Sequence, residues 1–517
     1  MKKWFHDHPR LVVFSALLIA VIIYVGFNLW QVGRFSIWFD ESFSAFMVRH
    51  NFAEIWHYTR LDVNGPLYYF LLKIWSILFG HDVVALRSFS ILCGAGVIII
   101  GFFLTRKLFG QKTAWFALPL LTLSPMLVRY GTEMRTYVLT TLLIFAAIWA
   151  LVVAAQKNQR KIWLLFGVFA ALAMWSHYYA VLPLAAGFVW FMTTRWQRGK
   201  IIRVNLRNVF DKNVLLSLGS AFVLFLPWLG TMIWQIGIVQ SAGFWIAPIS
   251  FRSLGNFFVE LLVYLGFDDL ESWWMLGVLI WIILTVLLAM KVWRSAGKKS
   301  RQNYLLILLV VIAPLLILMI LSVPPLRSMF INRYVIYSMI FVSVFAAVLA
   351  SASLRNKKFK KLQIAFFSLT LIFSVLGVMN VAIYGNFNRD TNSMSVAKTL
   401  MAKVADKTNV RTIVIADSPW VFYDAVNYAT DKNPVYFLNS TTKYEYGSLA
   451  MLRDDTTHKI VDLAKFVKPG QKVWFISSSD NAKNPPIDSW QKLRSAEVPY
   501  PLGDNEKSAW AVEYLVQ

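Results

Sequence analysis

Apolar residues in this chain come in long runs that are separated by short, mostly basic stretches. Each run holds roughly 16–23 residues, close to the number that a helix needs to cross the hydrocarbon core of a bilayer. The first run starts at Leu11 and has no signal-peptide cleavage pattern after it, so we interpret it as an uncleaved first span. About eleven spans are predicted, at residues 11–30, 86–105, 113–129, 136–154, 162–177, 178–194, 214–234, 272–290, 304–322, 334–354 and 362–384. This pattern predicts a polytopic, all-α membrane domain.

Composition agrees with a membrane protein. Of the 517 residues, 58% are hydrophobic and only 15% are charged, whereas charged residues make up about a quarter of a soluble domain. An ordinary water-soluble enzyme is thereby excluded. The single cysteine, Cys93, lies inside an apolar run, so neither a disulfide framework nor a cysteine-based metal or redox motif is supported.

The net charge of +24 is concentrated in alternate loops between the spans. Lys and Arg cluster at 106–112, 157–161, 195–212, 291–301 and 355–361. Short basic loops stay in the cytoplasm, which places Met1 inside and the chain after Asn386 outside. The basic excess is then a topology signal and an attraction to anionic membrane lipids, and nucleic-acid binding is not supported.

The apolar run from Gly65 to Gly80 needs a different interpretation. A full crossing there would reverse the side of every later loop. We therefore predict that residues 66–79 form a helix on the outer membrane surface, with Trp75, Tyr68 and Tyr69 in the aromatic belt.

The outer loop at residues 32–85 is chemically mixed and contains an acidic pair, Asp40 and Glu41, soon after the first span. Desolvation at the membrane interface raises the pKa of a carboxyl group towards a useful general-base value. The alternative is a solvated acid pair without a role, and the sequence leaves both interpretations open.

Two further outer loops each end in an arginine at the start of an inward-running helix, Arg135 and Arg333. A helix N-terminus with a guanidinium group beside it suits an anionic phosphate. The alternatives are that Arg135 pairs with an acid such as Glu133 and that Arg333 only extends to the lipid surface.

Other outer-loop residues have two possible roles. His177 is predicted at an outer turn, where it either binds substrate or packs as a hydrogen-bonded histidine. Trp245 either stacks on a sugar ring or anchors the loop in the membrane. The acids at 268, 269 and 271 are candidates for a divalent cation, although adjacent loop acids are more often solvated. Neither a phosphate-binding loop nor an Asp-x-Asp pattern occurs, so a nucleotide donor is disfavoured.

Several short motifs occur in a distinctive order. They are Asp40-Glu41, Asn64-Gly65-Pro66-Leu67-Tyr68-Tyr69, Ala85-Leu86-Arg87-Ser88, Ser124-Pro125, Glu133-Met134-Arg135-Thr136-Tyr137, His177-Tyr178 and Arg333-Tyr334. Together, over residues 1–385, they resemble the superfamily of protein O-mannosyltransferases and lipid A aminoarabinose transferases, which are membrane glycosyltransferases of the GT-C fold. Bacterial relatives often have His-Pro-Pro where this chain has Asn64-Gly65-Pro66, so the resemblance does not support a histidine-dependent role there.

The resemblance implies an inverting transfer from a polyprenyl-phosphate sugar to a hydroxyl of an acceptor lipid, glycan or protein. Asp40 matches the family's catalytic acid and is expected to be the general base, with Glu41 in a supporting role. Arg135 and Arg333 are the expected ligands of the donor phosphate. Further residues predicted to contact substrate are Asp62, Asn64, Tyr68, Glu133, Tyr137, His177, Trp245 and Tyr334. No cofactor is assigned with certainty, and the metal requirement is left open.

The chain changes character at about Asn386, where charged and polar residues return and no later run is long enough to span. Residues 1–385 are predicted to form the catalytic membrane domain, and residues 386–517 a soluble extracytoplasmic α/β domain. Strands are predicted at 412–416, 435–438 and 473–477, with helices at 395–404 and 420–429, which favours a partly parallel sheet. Bracing the outer loops or selecting the acceptor is the expected role of this domain.

The leading functional hypothesis is a glycosyltransferase. A transporter or flippase of lipid-linked glycans is the rival from another class, but it is expected to show ionisable groups or broken helices near mid-membrane. A polymerase or ligase of lipid-linked glycans shares the outward-facing site and stays an alternative.

Overall fold

The computed structural model describes residues 9–196, 202–242, 246, 249–265, 272–323, 328–354, 356–385, 396–439, 447–499 and 508–517. The chain divides into two compact units. The first, here the helical unit, comprises residues 1–30, 90–132 and 136–384. The second, here the mixed unit, comprises residues 31–89, 133–135 and 385–517. The predicted outer loop at 32–85 thus shares a compact unit with the tail.

The helical unit consists of α-helices of very different lengths. Their bounds are Pro9–Gln31, Val83–Phe109, Gln111–Thr122, Pro125–Gly131, Tyr137–Lys157, Arg160–Ser176, Val181–Arg195, Ile202–Val209, Lys212–Ala242, Phe251–Val263, Ser272–Ser295, Lys298–Ile320, Ile336–Ser351 and Lys357–Tyr384. Short 3-10 helices occur at Tyr178–Ala180 and Asn332–Val335. The helix Val83–Phe109 begins in the mixed unit and continues into this one.

Among the described residues, eight helices are long and apolar enough to cross a membrane, and the chain is a multi-pass membrane protein. The three other predicted spans also form helices, but shorter ones. The predicted span 113–129 is divided into Gln111–Thr122 and Pro125–Gly131. Ser124 caps the second helix and Pro125 occupies its first turn; a proline has no N–H for a continuous helix, so a new helix begins there.

Close helix packing in the helical unit depends on two glycines. A Cβ atom added at Gly94 would lie 2.0 Å from Tyr24 Oη, and one added at Gly131 would lie 2.1 Å from it. Tyr24 is 1% exposed, and its hydroxyl donates to the Leu127 carbonyl at 3.2 Å. Only glycine leaves room for this ring, so Gly94 is a helix-packing residue.

The mixed unit combines three helices of the outer loop with the α/β tail. The outer-loop helices are Phe39–Met47, Phe52–Leu61 and Leu67–Phe79; those of the tail are Ala397–Asp406, Pro419–Ala425, Ala450–Arg453 and Leu463–Phe466. The strands are β1 (Ile413–Ala416), β2 (Val435–Leu438), β3 (Lys459–Ile460), β4 (Lys472–Ser477), β5 (Gln491–Pro499) and β6 (Ser508–Leu515). Short 3-10 turns lie at Val426–Tyr428, Gly447–Leu449 and Asp480–Lys483.

The six strands form one sheet in the order β3-β2-β1-β4-β6-β5. Strands β3, β2, β1 and β4 are parallel, with Ile415 opposite both Tyr436 and Phe475, whereas β6 runs antiparallel to β4 and β5. The core includes Phe475 and Tyr514. The partly parallel sheet, its strands β1, β2 and β4 and both predicted tail helices are confirmed.

The prediction does not include strands β3, β5 and β6. Most side chains of β5 are exposed, and the strand pairs with β6 alone, at the edge of the sheet. Its first five residues, 491–495, include a single apolar side chain, Leu493, and therefore lack the apolar alternation that marks a half-buried strand.

The predicted surface helix is observed at Leu67–Phe79 and is too short to span a bilayer. Its predicted aromatic anchors are wrong: Tyr68 and Tyr69 are each 1% exposed, because they face the interior of the mixed unit. The Trp75 indole donates to the Ala85 carbonyl at 2.9 Å. The exposed apolar face consists of Ile74, Ile77, Leu78 and Phe79.

Candidate active site

Asp40 lies in the first turn of a nine-residue helix, Phe39–Met47, here called the Asp40 helix. The helix begins after Trp38, which is extended and whose carbonyl accepts the first backbone hydrogen bonds, from Glu41 and Ser42 at 2.9 Å each. The free N–H groups of a first turn favour a negative charge. Asp40 is half-buried. Its carboxylate is therefore partly accessible, and it lies at the end of the helix that stabilises a negative charge.

Glu41 is fully buried in a bidentate ion pair with Arg87. The Arg87 Nε lies 2.8 Å from Glu41 Oε1, and Nη2 lies 2.6 Å from Oε2. Oε1 also accepts from the Met134 amide at 3.0 Å. The Glu41 carboxylate thus ties the Asp40 helix to two other parts of the mixed unit.

Arg87 further orders the chain that leads into the Asp40 helix. Its guanidinium donates to the carbonyls of Val32 at 2.8 Å, Phe35 at 3.0 Å and Ser36 at 3.0 Å. Sequence reasoning did not select Arg87 as a site residue, although it belongs to a motif of the family resemblance. The sequence signal for Arg87 was an arginine next to an apolar run, with the acidic pair Asp40-Glu41 available as its partner.

Arg135 lies against the start of the Asp40 helix. Its Nη1 donates to the Asp40 carbonyl at 3.1 Å, to the Tyr69 hydroxyl at 3.2 Å and to Ser44 Oγ at 3.4 Å. The side chain is 7% exposed. A buried guanidinium of this kind is a suitable partner for an anionic group such as a phosphate.

Asp62 and Asn64 lie in the same electrostatic environment. Asp62 is 6% exposed and accepts from the Asn64 amide nitrogen at 3.1 Å. Burial raises the pKa of Asp62, while the nearby Arg135 charge and the Asn64 hydrogen bond act against that rise; the charge of Asp40 adds to it. The predicted residues Asp40, Asp62, Asn64 and Arg135 are therefore brought together.

The predicted residues of the helical unit form a cluster of their own. His177 packs on Tyr334 at 5.3 Å and on Tyr137 at 6.0 Å between ring centroids. The guanidinium carbon of Arg333 lies 5.8 Å from the ring centroid of Tyr334. His177 Nδ1 also accepts from the Tyr179 amide at 3.4 Å. His177 therefore packs as a hydrogen-bonded histidine, which is one of its two predicted roles; substrate binding by His177 stays a prediction.

Sequence reasoning missed polar groups near this cluster. Arg129 is 4% exposed, and its Nε donates to the Tyr264 hydroxyl at 2.7 Å. Glu260, 7% exposed, accepts from the Asn332 amide. The signal for Arg129 was a charged side chain at the end of an apolar run, where ionisable groups are usually functional.

Some predicted positions lie outside the described residues. These are Trp245 and the candidate cation ligands Asp268, Asp269 and Glu271. Within the described ranges, no group of three or more His, Cys, Asp or Glu side chains is arranged to hold a metal ion.

Comparison with known proteins supports the resemblance. The sequence model of the family described as dolichyl-phosphate-mannose-protein mannosyltransferase matches residues 63–231. The crystal structure of ArnT from Cupriavidus metallidurans in the apo state matches with a TM-score of 0.60 and 11% identity over 98% of each chain. The structure of ArnT from the same organism bound to undecaprenyl phosphate matches with a TM-score of 0.59 and 13% identity, again over 98% of each chain. No curated protein matches the sequence. The chain has the ArnT-like GT-C fold, and the predicted fold class is confirmed.

Proposed function

We propose that this protein is a membrane glycosyltransferase that moves a sugar from a polyprenyl-phosphate donor to an acceptor hydroxyl on the outer face of the membrane. The observation that carries the proposal is Asp40 in the first turn of a helix, beside a buried arginine. The family match and the ArnT fold support the reaction class. The ArnT complex with undecaprenyl phosphate supports a polyprenyl phosphate as the donor's carrier.

In the proposed reaction Asp40 is the general base. It takes the proton from the acceptor hydroxyl while the hydroxyl oxygen attacks the anomeric carbon of the sugar. The bond between that carbon and the phosphate oxygen breaks, and the lipid phosphate leaves with its electron pair. Attack from the side opposite the phosphate inverts the anomeric configuration. A phosphate leaving group needs charge stabilisation more than a proton, so one base and nearby arginines suffice.

Arg135 is the proposed ligand of that phosphate in the mixed unit, since its charge is already placed beside the Asp40 helix. Arg333 stays a predicted second ligand. Glu41 is assigned a supporting role, because both its oxygens accept hydrogen bonds from Arg87.

The decisive experiment is turnover of a radiolabelled polyprenyl-phosphate sugar by purified protein in detergent, with Asp40→Asn as the test variant. Asn keeps the shape of Asp but accepts no proton, so we expect the rate to fall by on the order of 100-fold or more. Binding of the lipid phosphate should persist, because Arg135 is unchanged. Asp431→Asn removes an exposed acid of the same unit and serves as the matched control with wild-type activity.

The result also distinguishes the rival functions. Normal transfer by Asp40→Asn would refute the assignment of the base. Movement of an intact lipid-linked glycan across reconstituted vesicles, with no sugar transferred, would indicate a flippase instead.

A further inference from the structure

The tail of the chain contacts the Asp40 helix through one buried carboxyl group. Asp424 lies in the helix Pro419–Ala425, and its Oδ1 is hydrogen-bonded to Ser42 Oγ. Both residues are 0% exposed. The Ser42 hydroxyl also lies 3.2 Å from the Trp38 carbonyl oxygen. The contact joins positions 382 residues apart, inside the mixed unit.

Three consecutive residues of the Asp40 helix are held from different directions. Arg135 contacts the carbonyl of Asp40, Arg87 contacts the carboxylate of Glu41, and Asp424 contacts the hydroxyl of Ser42. Successive residues of a helix are rotated by about 100°. Ser42 is therefore roughly 200° from Asp40 around the axis, on the side that faces away from the Asp40 side chain. A rotation of the helix that moved the Asp40 carboxylate would break the Ser42–Asp424 contact.

Neighbouring contacts between the same two segments exclude water from this bond. The Ile37 amide, just before the Asp40 helix, donates to the Tyr428 hydroxyl at 2.7 Å. The ring of Phe39 packs on Trp420 with centroids 4.5 Å apart. In such an enclosed contact a hydrogen bond has more influence on geometry than one exposed to solvent.

The surroundings of Asp424 favour its neutral form. Burial raises the pKa of Asp424 well above its usual range; the Ser42 hydrogen bond acts against that rise, and the charges of Glu41 and Asp40 add to it. Its second oxygen, Oδ2, accepts no hydrogen bond from any residue that the structure describes. Ser42 Oγ donates to Asp424 Oδ1, so the contact requires an oxygen that accepts a hydrogen bond at position 424.

We propose that Asp424 is a positioning residue for the general base: through Ser42 it sets the rotation of the Asp40 helix and thereby the direction of the Asp40 carboxylate. The tail domain then contributes directly to the geometry of the reaction. This inference rests on the proposed function, since it takes Asp40 as the base.

The kinetic test compares two replacements of Asp424. Asp424→Leu has the same number and branching of side-chain heavy atoms but makes no hydrogen bond. We expect kcat to fall about 10-fold or more while KM for the donor changes little, because a misdirected base slows the chemical step. Asp424→Asn keeps an amide oxygen that accepts from Ser42 and should retain kcat within about threefold. Ser42→Ala breaks the same bond from the other side, so combining it with Asp424→Leu should add little further loss.

The matched control is Ser418→Ala. Ser418 caps the Asp424 helix by accepting from the Val421 amide at 3.4 Å, so its loss weakens that helix while keeping the Ser42 contact. Its kcat should stay near that of the wild type. A Ser418→Ala loss equal to that of Asp424→Leu, or a wild-type kcat in Asp424→Leu, would overturn the inference. A loss in Asp424→Asn as large as in Asp424→Leu would do the same.

Hydrogen–deuterium exchange supplies a readout that is independent of activity. In Asp424→Leu the amides of residues 41–46 should exchange faster than in the wild type, while those of β4 stay protected. Unchanged protection at 41–46 contradicts the positioning role. If the wild type transfers no sugar from any polyprenyl phosphate, the proposed function fails, whereas the exchange experiment still decides whether Asp424 holds the helix.

Discussion

Asp62 shows how burial gives a single side chain a measurable pH dependence. Its carboxyl group is nearly enclosed, and the raised pKa means that the folded protein holds its proton at pH values where the unfolded chain has released it. The stabilising effect of this proton is complete below the ordinary value of 3.8 and is lost as the pH rises through the folded-state pKa.

We therefore expect Asp62→Asn to alter the pH dependence of thermal stability. The melting temperature of the wild type in detergent should decrease, relative to that of Asp62→Asn, as the pH is raised from about 4 towards neutrality. Asp431→Asn, which changes an exposed acid, should follow the wild type. Parallel curves for the wild type and Asp62→Asn would show that Asp62 has an ordinary pKa in the folded protein.

Two glycines allow neighbouring helices to approach closely around Tyr24. Gly94 and Gly131 both face the Tyr24 ring, whose hydroxyl is hydrogen-bonded to the Leu127 carbonyl. The ring cannot withdraw without losing that bond, so the helix Pro9–Gln31 is held in one position relative to its neighbours in the helical unit.

Gly94→Ala should therefore destabilise the protein. The added methyl group would overlap with Tyr24, at a cost of about 1–3 kcal/mol in the free energy of unfolding, seen as a lower melting temperature. Gly26, on the Tyr24 helix, has no atom within 4 Å of an added Cβ, so Gly26→Ala should leave the melting temperature unchanged or raise it slightly. Equal effects of both substitutions would rule out the proposed packing constraint.

Over the chain as a whole, the placement of the proposed reaction depends on which side of the membrane each loop occupies. The positive-inside rule predicts that the basic loops are cytoplasmic and that the tail lies outside. Val461 of the tail is 79% exposed, and Lys299 is an exposed residue of the basic stretch 291–301, in the first turn of the helix Lys298–Ile320. Both are suitable labelling positions, since the sole native cysteine, Cys93, is buried.

We expect Val461→Cys to react with a membrane-impermeant thiol reagent on intact cells, and Lys299→Cys to react only after permeabilisation. Replacing Cys93 with Ser removes the background. Labelling of Val461→Cys only in permeabilised cells would place the tail, and with it Asp40 in the same compact unit, on the cytoplasmic side.

Much of the architecture follows from local patterns. The positions of the apolar helices and the three parallel strands β1, β2 and β4 of the tail were predictable, because hydrophobic periodicity is a property of short stretches of chain. The edge strand β5 was not, since its polar residues have no such period. Asp40 and Arg135 were selected through the resemblance and the charge pattern, and they do lie together.

Other features required the folded chain. Arg87 pairs with Glu41 across 46 positions, and Asp424 contacts Ser42 across 382. Tyr68 and Tyr69 face the protein interior rather than the membrane surface. Hydropathy and residue spacing predict the local structure of a segment, because they depend only on residues that are close in sequence. Which charged or polar groups become partners depends on how distant segments are brought together, and only the tertiary structure contains that information.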